Sequence, residues 1–293
     1  MVRRLFYAFA LSFLCILPTG AKEVSVHTAK IAAPSGFRLA GPRMQPVVYV
    51  DADDALVVRK AAELFASDIE AVTGAPAKVV TSLEGVKECV IAGTADGCGL
   101  IRRLAKTGKI DLSPIENGWE RYHIKTVRHP LPGVSKALVV VGSDRRGAAY
   151  GILSLSEKIG VSPWYWWADV PVQKQQSLYI DAAGHYSQEP SVRYRGIFLN
   201  DEDWGLTPWA SKTFEKERGN IGPRTYSKIC ELLLRLKGNM LAPAMHPVST
   251  PFHSIPANRM VADTFAIVMT ATPCEPLLLN PASEWDRKTM GEW

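Results

Sequence analysis

Residues 195–210 read RGIFLNDEDWGLTPWA. Gly196 to Leu199 form an apolar run of strand character, and the chain then switches to Asn200, Asp201, Glu202 and Asp203, followed by Trp204. Three successive carboxylates are costly to bury unless they are paired. The strand must therefore end here and deliver them to a surface. If the segment stays extended, Asp201 and Asp203 share one face ~7 Å apart, while Asn200 and Glu202 point the other way. Acids in such a place can cap a helix, bind a cation or bridge to arginine. They can also do general acid–base work.

Downstream, the pattern repeats strand and helix. Gly222-Pro223 opens a helix with proline at its first position. Tyr226, Ile229, Cys230, Leu233 and Leu236 mark its buried face and Gly238 ends it. Residues 239–245 read as a second strand, 258–264 as a short helix and 265–271 as a third strand. Right-handed strand–helix–strand crossovers of this kind begin a (β/α)8 barrel, and they begin a doubly wound sheet equally well. In a barrel, catalytic residues project from the C-terminal strand ends. That rule would bring the 200–203 cluster, His246 and Cys274-Glu275 to one rim.

Upstream, residues 47–50 predict a strand, and Asp53 and Asp54 supply N-cap chemistry for a helix. Its apolar positions are Val58, Ala61, Ala62, Phe65, Ile69 and Val72, and Gly74 stops it. Strands are expected at 78–81, 89–92, 122–127 and 137–141, with helices at 100–106 and 146–159. The GSDRRG stretch at 142–147 has a glycine pair but Ala148 and Ala149 where a phosphate loop needs Lys and Ser or Thr. It reads as a tight strand-to-helix turn. The WYWW stretch at 164–167 could stack sugar rings, but it reads better as packing between domains.

The 293 residues are 47% hydrophobic and 22% charged, the balance of a globular protein of about two domains. The net charge of +5 is scattered, with no basic run that would suit nucleic acid. Arg3 and Arg4, the apolar stretch 5–17 and Thr19-Gly20-Ala21 form a signal peptide pattern, so export to a secreted or periplasmic location is expected. The apolar stretch is too short for a membrane span. Cys89, Cys98, Cys230 and Cys274 lie beyond it without metal-ligand spacing, which argues against zinc.

Taken in order, RGIFLNDEDW (195–204), PWA (208–210), IGP (221–223), ELLLRL (231–236), PAMH (243–246), CEP (274–276) and EWDRK (284–288) resemble the start of the catalytic barrel of glycoside hydrolase family 115, the xylan α-1,2-glucuronidases. GSDRRG (142–147) and WYWWADVP (164–171) resemble the end of that family's N-terminal α/β domain. After the signal peptide at 1–21, the resemblance implies an α/β domain at 22–190 and a truncated (β/α)8 barrel at 191–293, with about three of eight strands, so an α/β fold class. It implies removal of α-1,2-linked glucuronic acid, often 4-O-methylated, from glucuronoxylan or its oligosaccharides, with inversion and without a cofactor. Asp201, Asp203 and Glu275 would then be catalytic, with Asn200, Trp204 and His246 binding substrate. Two positions depart from the family pattern: Ala242 stands where Trp is usual, and Pro273 where His is usual. A non-catalytic carbohydrate-binding protein derived from the same family is the alternative expectation.

Overall fold

The computed structural model describes residues 24–28, 36–200, 202–270 and 284–292. The expected signal peptide, Asp201, Pro273, Cys274 and Glu275 lie outside the described residues. The described residues form a mixed α/β structure with three sheets. Its strands, in order, are β1 Ser25–His27, β2 Gly36–Ala40, β3 Val47–Val50, β4 Lys78–Val80, β5 Glu88–Thr94, β6 Tyr122–Leu131, β7 Val134–Gly142, β8 Leu178–Asp181, β9 His185–Tyr186, β10 Gly196–Phe198, β11 Met240–Ala242 and β12 Val268–Met269. The main helices are α1 Leu56–Thr73, α2 Gly99–Lys106 and α3 Arg145–Lys158. They are followed by the one-turn α4 Thr207–Trp209, then α5 Pro223–Arg235, α6 Pro256–Thr264 and the short α7 Arg287–Met290.

The largest sheet has the order β4-β3-β5-β7-β6-β9. Its first four strands run parallel, and β6 and β9 close it antiparallel. Alternation along the strands feeds two cores. Val48, Val50, Val90, Ala92, Leu138 and Val140 face α1 and α3, while Tyr49, Ile91, Val139 and Val141 face α2 with Ile101 and Leu104. Both faces are covered, so the central strands are apolar throughout. A second sheet, β1-β8-β2, is antiparallel. The segment spacing did not predict it, because its strands are very short and β8 pairs with residues far away in the chain.

Several local signals act through different residues than expected. Gly74 caps α1 in the left-handed region (φ 73°), as its position predicts. Asp54 does not cap α1: its carboxylate instead accepts from the Thr94 N–H (2.8 Å) and hydroxyl (2.9 Å) across the sheet. The tight turn at 142–147 is present, with Asp144 capping α3 through the N–H groups of Arg146 and Gly147. A Cβ on Gly142 would lie 1.9 Å from the Ala148 nitrogen, so the turn requires glycine there. At the end of α5 the left-handed residue is Lys237 (φ 60°), and the Gly238 N–H then closes onto the Leu233 carbonyl.

The third sheet, β10-β11-β12, is parallel, with α5 and α6 in its crossovers. It shares one apolar core with the larger sheet, since Tyr226, Ile229, Leu233 and Phe265 join the α1 and α3 cluster. Two buried polar networks cross the same seam. Arg235 holds Asp68 through two bonds (2.8 and 3.1 Å) and Glu231 at 3.0 Å, and Glu231 accepts from the Tyr165 hydroxyl. Glu120, buried in the left-handed region (φ 54°), takes Arg195, Arg146 (3.4 Å) and the Asn239 amide (2.7 Å) on its carboxylate. Arg195 and Asn239 immediately precede β10 and β11. Arg146 also donates to the Ala266 carbonyl, just ahead of β12.

Removing one partner of a buried ion pair leaves an uncompensated charge, at a cost of about 3–5 kcal/mol. Glu120→Ala is therefore expected to lower the unfolding free energy by about that amount in urea titration. A change below about 1 kcal/mol would show that the network carries no net stability. Glu231 gives a pH signature. Burial alone would raise its carboxyl, but Arg235, Lys228 and Tyr165 outweigh burial and hold it below the ordinary range. A depressed folded-state value means stability that is full above the unfolded carboxylate value and lost as pH falls through the folded one. The acid limb of a stability–pH curve should flatten in Glu231→Gln, which lacks that titration.

Candidate active site at the ends of the parallel strands

The segment after β10 does not stay extended. Glu202–Leu206 is a π-helical turn, followed by α4 and a second π-helical turn, Ala210–Phe214. The expectation of two acids sharing a strand face thus fails at Glu202, where the chain bends into helix. Such wide turns are uncommon and often mark functional positions. Here they bring residues five apart together: Trp209 and Phe214 stack with ring centroids 5.1 Å apart at 16°.

The helical turn points Asp203 towards the end of β11. His246, four residues beyond that strand, meets it with Nδ1 2.6 Å from Asp203 Oδ2. The pair is open to solvent, the side chains being 35% exposed at His246 and 46% at Asp203. Trp204 beside it is 89% exposed. Asn200, at the end of β10, lines a cleft of about 890 Å³ together with Trp164, Trp167, Phe198 and Trp209. The structure thus brings Asp203 and His246 into contact, places Asn200 on the neighbouring cleft and leaves Trp204 in solvent. Asp201 and Glu275 fall outside the described residues. Among those residues no three His, Cys, Asp or Glu side chains form a metal-binding group, and no helix is long and apolar enough to cross a membrane.

Trp166 and Trp167 pack as expected, while Trp164 is left 44% exposed. Trp166 contacts Trp167, Trp209 and Phe214 edge-on at 4.8–5.7 Å between centroids, and the Lys228 ammonium sits 5.2 Å from the Trp166 ring centre. Their other side forms the cleft wall, which the sequence did not foretell. Glu215 was missed entirely. It is buried, and its carboxylate accepts from Gly222 N–H (3.0 Å), Thr225 N–H (2.9 Å) and the Thr225 hydroxyl (2.6 Å), so it caps α5, whose N-cap glycine has no side chain to do so. Its distance of seven residues from Gly222 hides it from any local capping pattern. Cys89, Cys98 and Cys230 are buried free thiols, pushed up to about 12, 11 and 12 by burial, which leaves them unreactive packing groups.

The parallel strands of the third sheet thus end in a carboxylate–imidazole pair beside an aromatic cleft. Residues 187–293 match the sequence model of glycosyl hydrolase family 115. The solved family 115 4-O-methyl-α-glucuronidase BtGH115A, described as specific for decorated arabinogalactans, is 39% identical over 88% of this chain, with a TM-score of 0.73. The chain belongs to glycoside hydrolase family 115. It spans 32% of the length of BtGH115A. CpGH84D (11% identity, 86% of this chain and 36% of that one, TM-score 0.47) and a Streptomyces plicatus β-hexosaminidase variant (11%, 81% and 42%, TM-score 0.46) are more distant and do not bear on the chemistry of this chain. No curated protein matches it by sequence.

An exposed ion pair contributes about 0–1 kcal/mol to stability. Asp203→Asn and His246→Ala are each expected to shift the urea midpoint by no more than that corresponds to. A loss of several kcal/mol from either would mean that the pair holds the fold rather than presenting a site.

Proposed function

We propose that the chain carries the N-terminal part of an exported glycoside hydrolase that removes α-1,2-linked glucuronic acid, often 4-O-methylated, from xylan side chains with inversion and without a cofactor. In this reading residues 22–190 are the accessory α/β domain, and β10 to β12 begin a (β/α)8 barrel. The signal peptide at 1–21 would direct the product to a secreted or periplasmic location. The observation that carries the reading is the Asp203–His246 pair, projecting from the C-terminal ends of two adjacent parallel strands next to Asn200 and Trp204. Catalytic residues of barrels occupy that place.

The chemistry assigns distinct roles. Inversion needs one carboxyl group to protonate the leaving oxygen and another, roughly 6.5–9.5 Å away, to activate water. Asp201, Asp203 and Glu275 are the candidate carboxylates. His246, held through Nδ1 against Asp203, is the candidate partner for the uronate carboxylate. Asn200 supplies a neutral donor and Trp204 an apolar ring face on which a sugar can stack. Glucuronoxylan is the proposed substrate, and the name of BtGH115A makes glucuronidated arabinogalactan the necessary comparison.

The test is release of uronic acid from both polysaccharides, by the 293-residue chain and by the chain fused to the part of BtGH115A that it does not match. Among the described residues Asp203 is the one candidate carboxylate, and inversion needs a second placed across the scissile bond, so the chain alone is expected to stay at background. The fusion is expected to act on glucuronoxylan, with Asp203→Ala lowering kcat by about 10²–10⁴-fold. Release by the chain alone that disappears in Asp201→Ala would overturn the two-sided arrangement. A second reading, carbohydrate binding without catalysis, is favoured by Ala242. This small buried residue of β11 takes the place of the family's usual Trp. Saturable binding of glucuronoxylan by an inactive fusion would establish it.

A further inference from the structure

A second cleft, of about 590 Å³, opens beside the turn from β2 to β3. Val47 begins β3, Glu88 begins β5 and Ser135 is near the start of β7, so the cleft lies at the N-terminal ends of these parallel strands. Phosphate and nucleotide ligands of such sheets sit at the other end, where helix N-termini point at them. There the chain fills the place itself: Asp51 accepts the Gly99 N–H at the start of α2 (2.9 Å), and Asp54 accepts from Thr94. The N-terminal cleft shares no lining residue with the aromatic cleft beside Asn200.

Three cations, Arg38, Arg43 and Lys87, line it against one carboxylate, Glu88, which stands opposite Lys136 in the register of β5 on β7. The ion pairs among the described residues are made by other cations. Arg43 is presented by a turn that the Met44 N–H closes onto the Gly41 carbonyl (3.1 Å), with its backbone left-handed at φ 60°. Arg38 lies directly over Gly41, where a Cβ would collide with the guanidinium. Its Nε is buried without a hydrogen-bond partner, and its Nη2 reaches the Pro42 carbonyl at only 3.5 Å. An unmade buried donor is costly, and a carboxylate taken by the guanidinium fork would offset that cost. Met44, Val47 and Val86 add an apolar wall, while Gln45 and Ser135 add neutral hydrogen-bonding groups. A ring that carries both hydroxyls and a carboxylate meets all of these, whereas a bare anion uses only the charge.

We propose that this cleft binds the uronic acid groups of a polysaccharide, with Arg38, Arg43 and Lys87 around the carboxylate. The proposal rests on the reading that the polymer this protein meets bears glucuronate. It adds a point of attachment on the half of the molecule that carries none of the candidate catalytic residues. A polymer held there stays near the Asp203–His246 rim, because the linked site raises its local concentration.

The experiment is titration calorimetry of the 293-residue chain with glucuronoxylan oligosaccharides and with the same oligosaccharides after reduction of their carboxyl groups. The acidic form is expected to bind and the reduced form not to. Arg38→Met keeps the apolar stem and removes the charge. It is expected to raise Kd at least about tenfold, with unchanged circular dichroism and thermal midpoint. Lys87→Gln, on an exposed residue, is expected to raise Kd about threefold and carries the same test should Arg38→Met alter the fold. His246→Ala is expected to bind as the wild type does. Absence of binding, equal binding of the reduced form, or binding that neither cleft variant weakens overturns the proposal. Loss of binding in His246→Ala overturns it in favour of the rim. Displacement by inorganic phosphate as readily as by free glucuronate overturns it in favour of a simple anion site. Uronic acid release by the fused chain is measured separately: binding without release refutes the glucuronidase reading and leaves the cleft standing, and release without binding does the reverse.

Discussion

The carboxylate of Glu120 is the constraint on which the small parallel sheet depends. One buried side chain holds Arg195 at the start of β10 and Asn239 at the start of β11, and through Arg146 it reaches Ala266, ahead of β12. Asn239 continues the link, accepting the Arg195 N–H on its side chain (2.9 Å) and the Val268 N–H on its carbonyl (2.8 Å). Three strands widely spaced in the chain are thus registered at their N-terminal ends by one charge. That charge sits on a residue of the other half of the molecule, with its backbone in a conformation that non-glycine residues seldom adopt. The strain is offset locally, because the Glu120 N–H donates to Asp144 (2.6 Å), the same carboxylate that caps α3.

The second crossing network, Asp68–Arg235–Glu231–Tyr165, works at the other contact between the halves. Arg235 and Glu231 lie one turn apart on α5 and reach Asp68 on α1. Burying such charges is costly unless all are paired, and here each is. Apolar association between the α1–α3 layer and α5 would be tolerant of sliding. The guanidinium fork admits one geometry, so it adds register to a seam that the shared core makes strong. The packing across residue 190, where the sequence reading places a boundary, is continuous.

What the sequence revealed follows a physical division. Elements whose signal is periodic and local were legible: α1 with its glycine stop, the strands of the large sheet other than β9, α5 with its proline start, and the three strands β10 to β12. Of the candidate site, Asp203 and His246 were picked out by lying after successive strands, and the structure brings these two into contact. Interactions between residues distant in sequence were not legible. Nothing near Glu120 announces Arg195 and Asn239, and nothing near Glu215 announces a helix seven residues later. The helical turn at Glu202–Leu206 was not legible, because consecutive acids fit an extended strand end as well as a helical turn. Capping by Asp54 was misread for a related reason: a better partner, Thr94, comes from another strand.

The placement of rigidity and openness along these strands bears on what the site can do. Their N-terminal ends are fixed by buried charge, whereas their C-terminal ends carry an exposed Asp203–His246 pair and an exposed Trp204. A surface ion pair does not by itself hold two side chains in one geometry, since solvent competes for each. What fixes their approach is the register of β10 on β11, Ile197 opposite Leu241 and Phe198 opposite Ala242, set from below by Glu120. A disturbance at that base would be transmitted to the pair as a shift in spacing, and an error of about 1 Å in positioned groups can cost on the order of 10²-fold in rate. The residue that matters most to the geometry of the rim is therefore one that never approaches it.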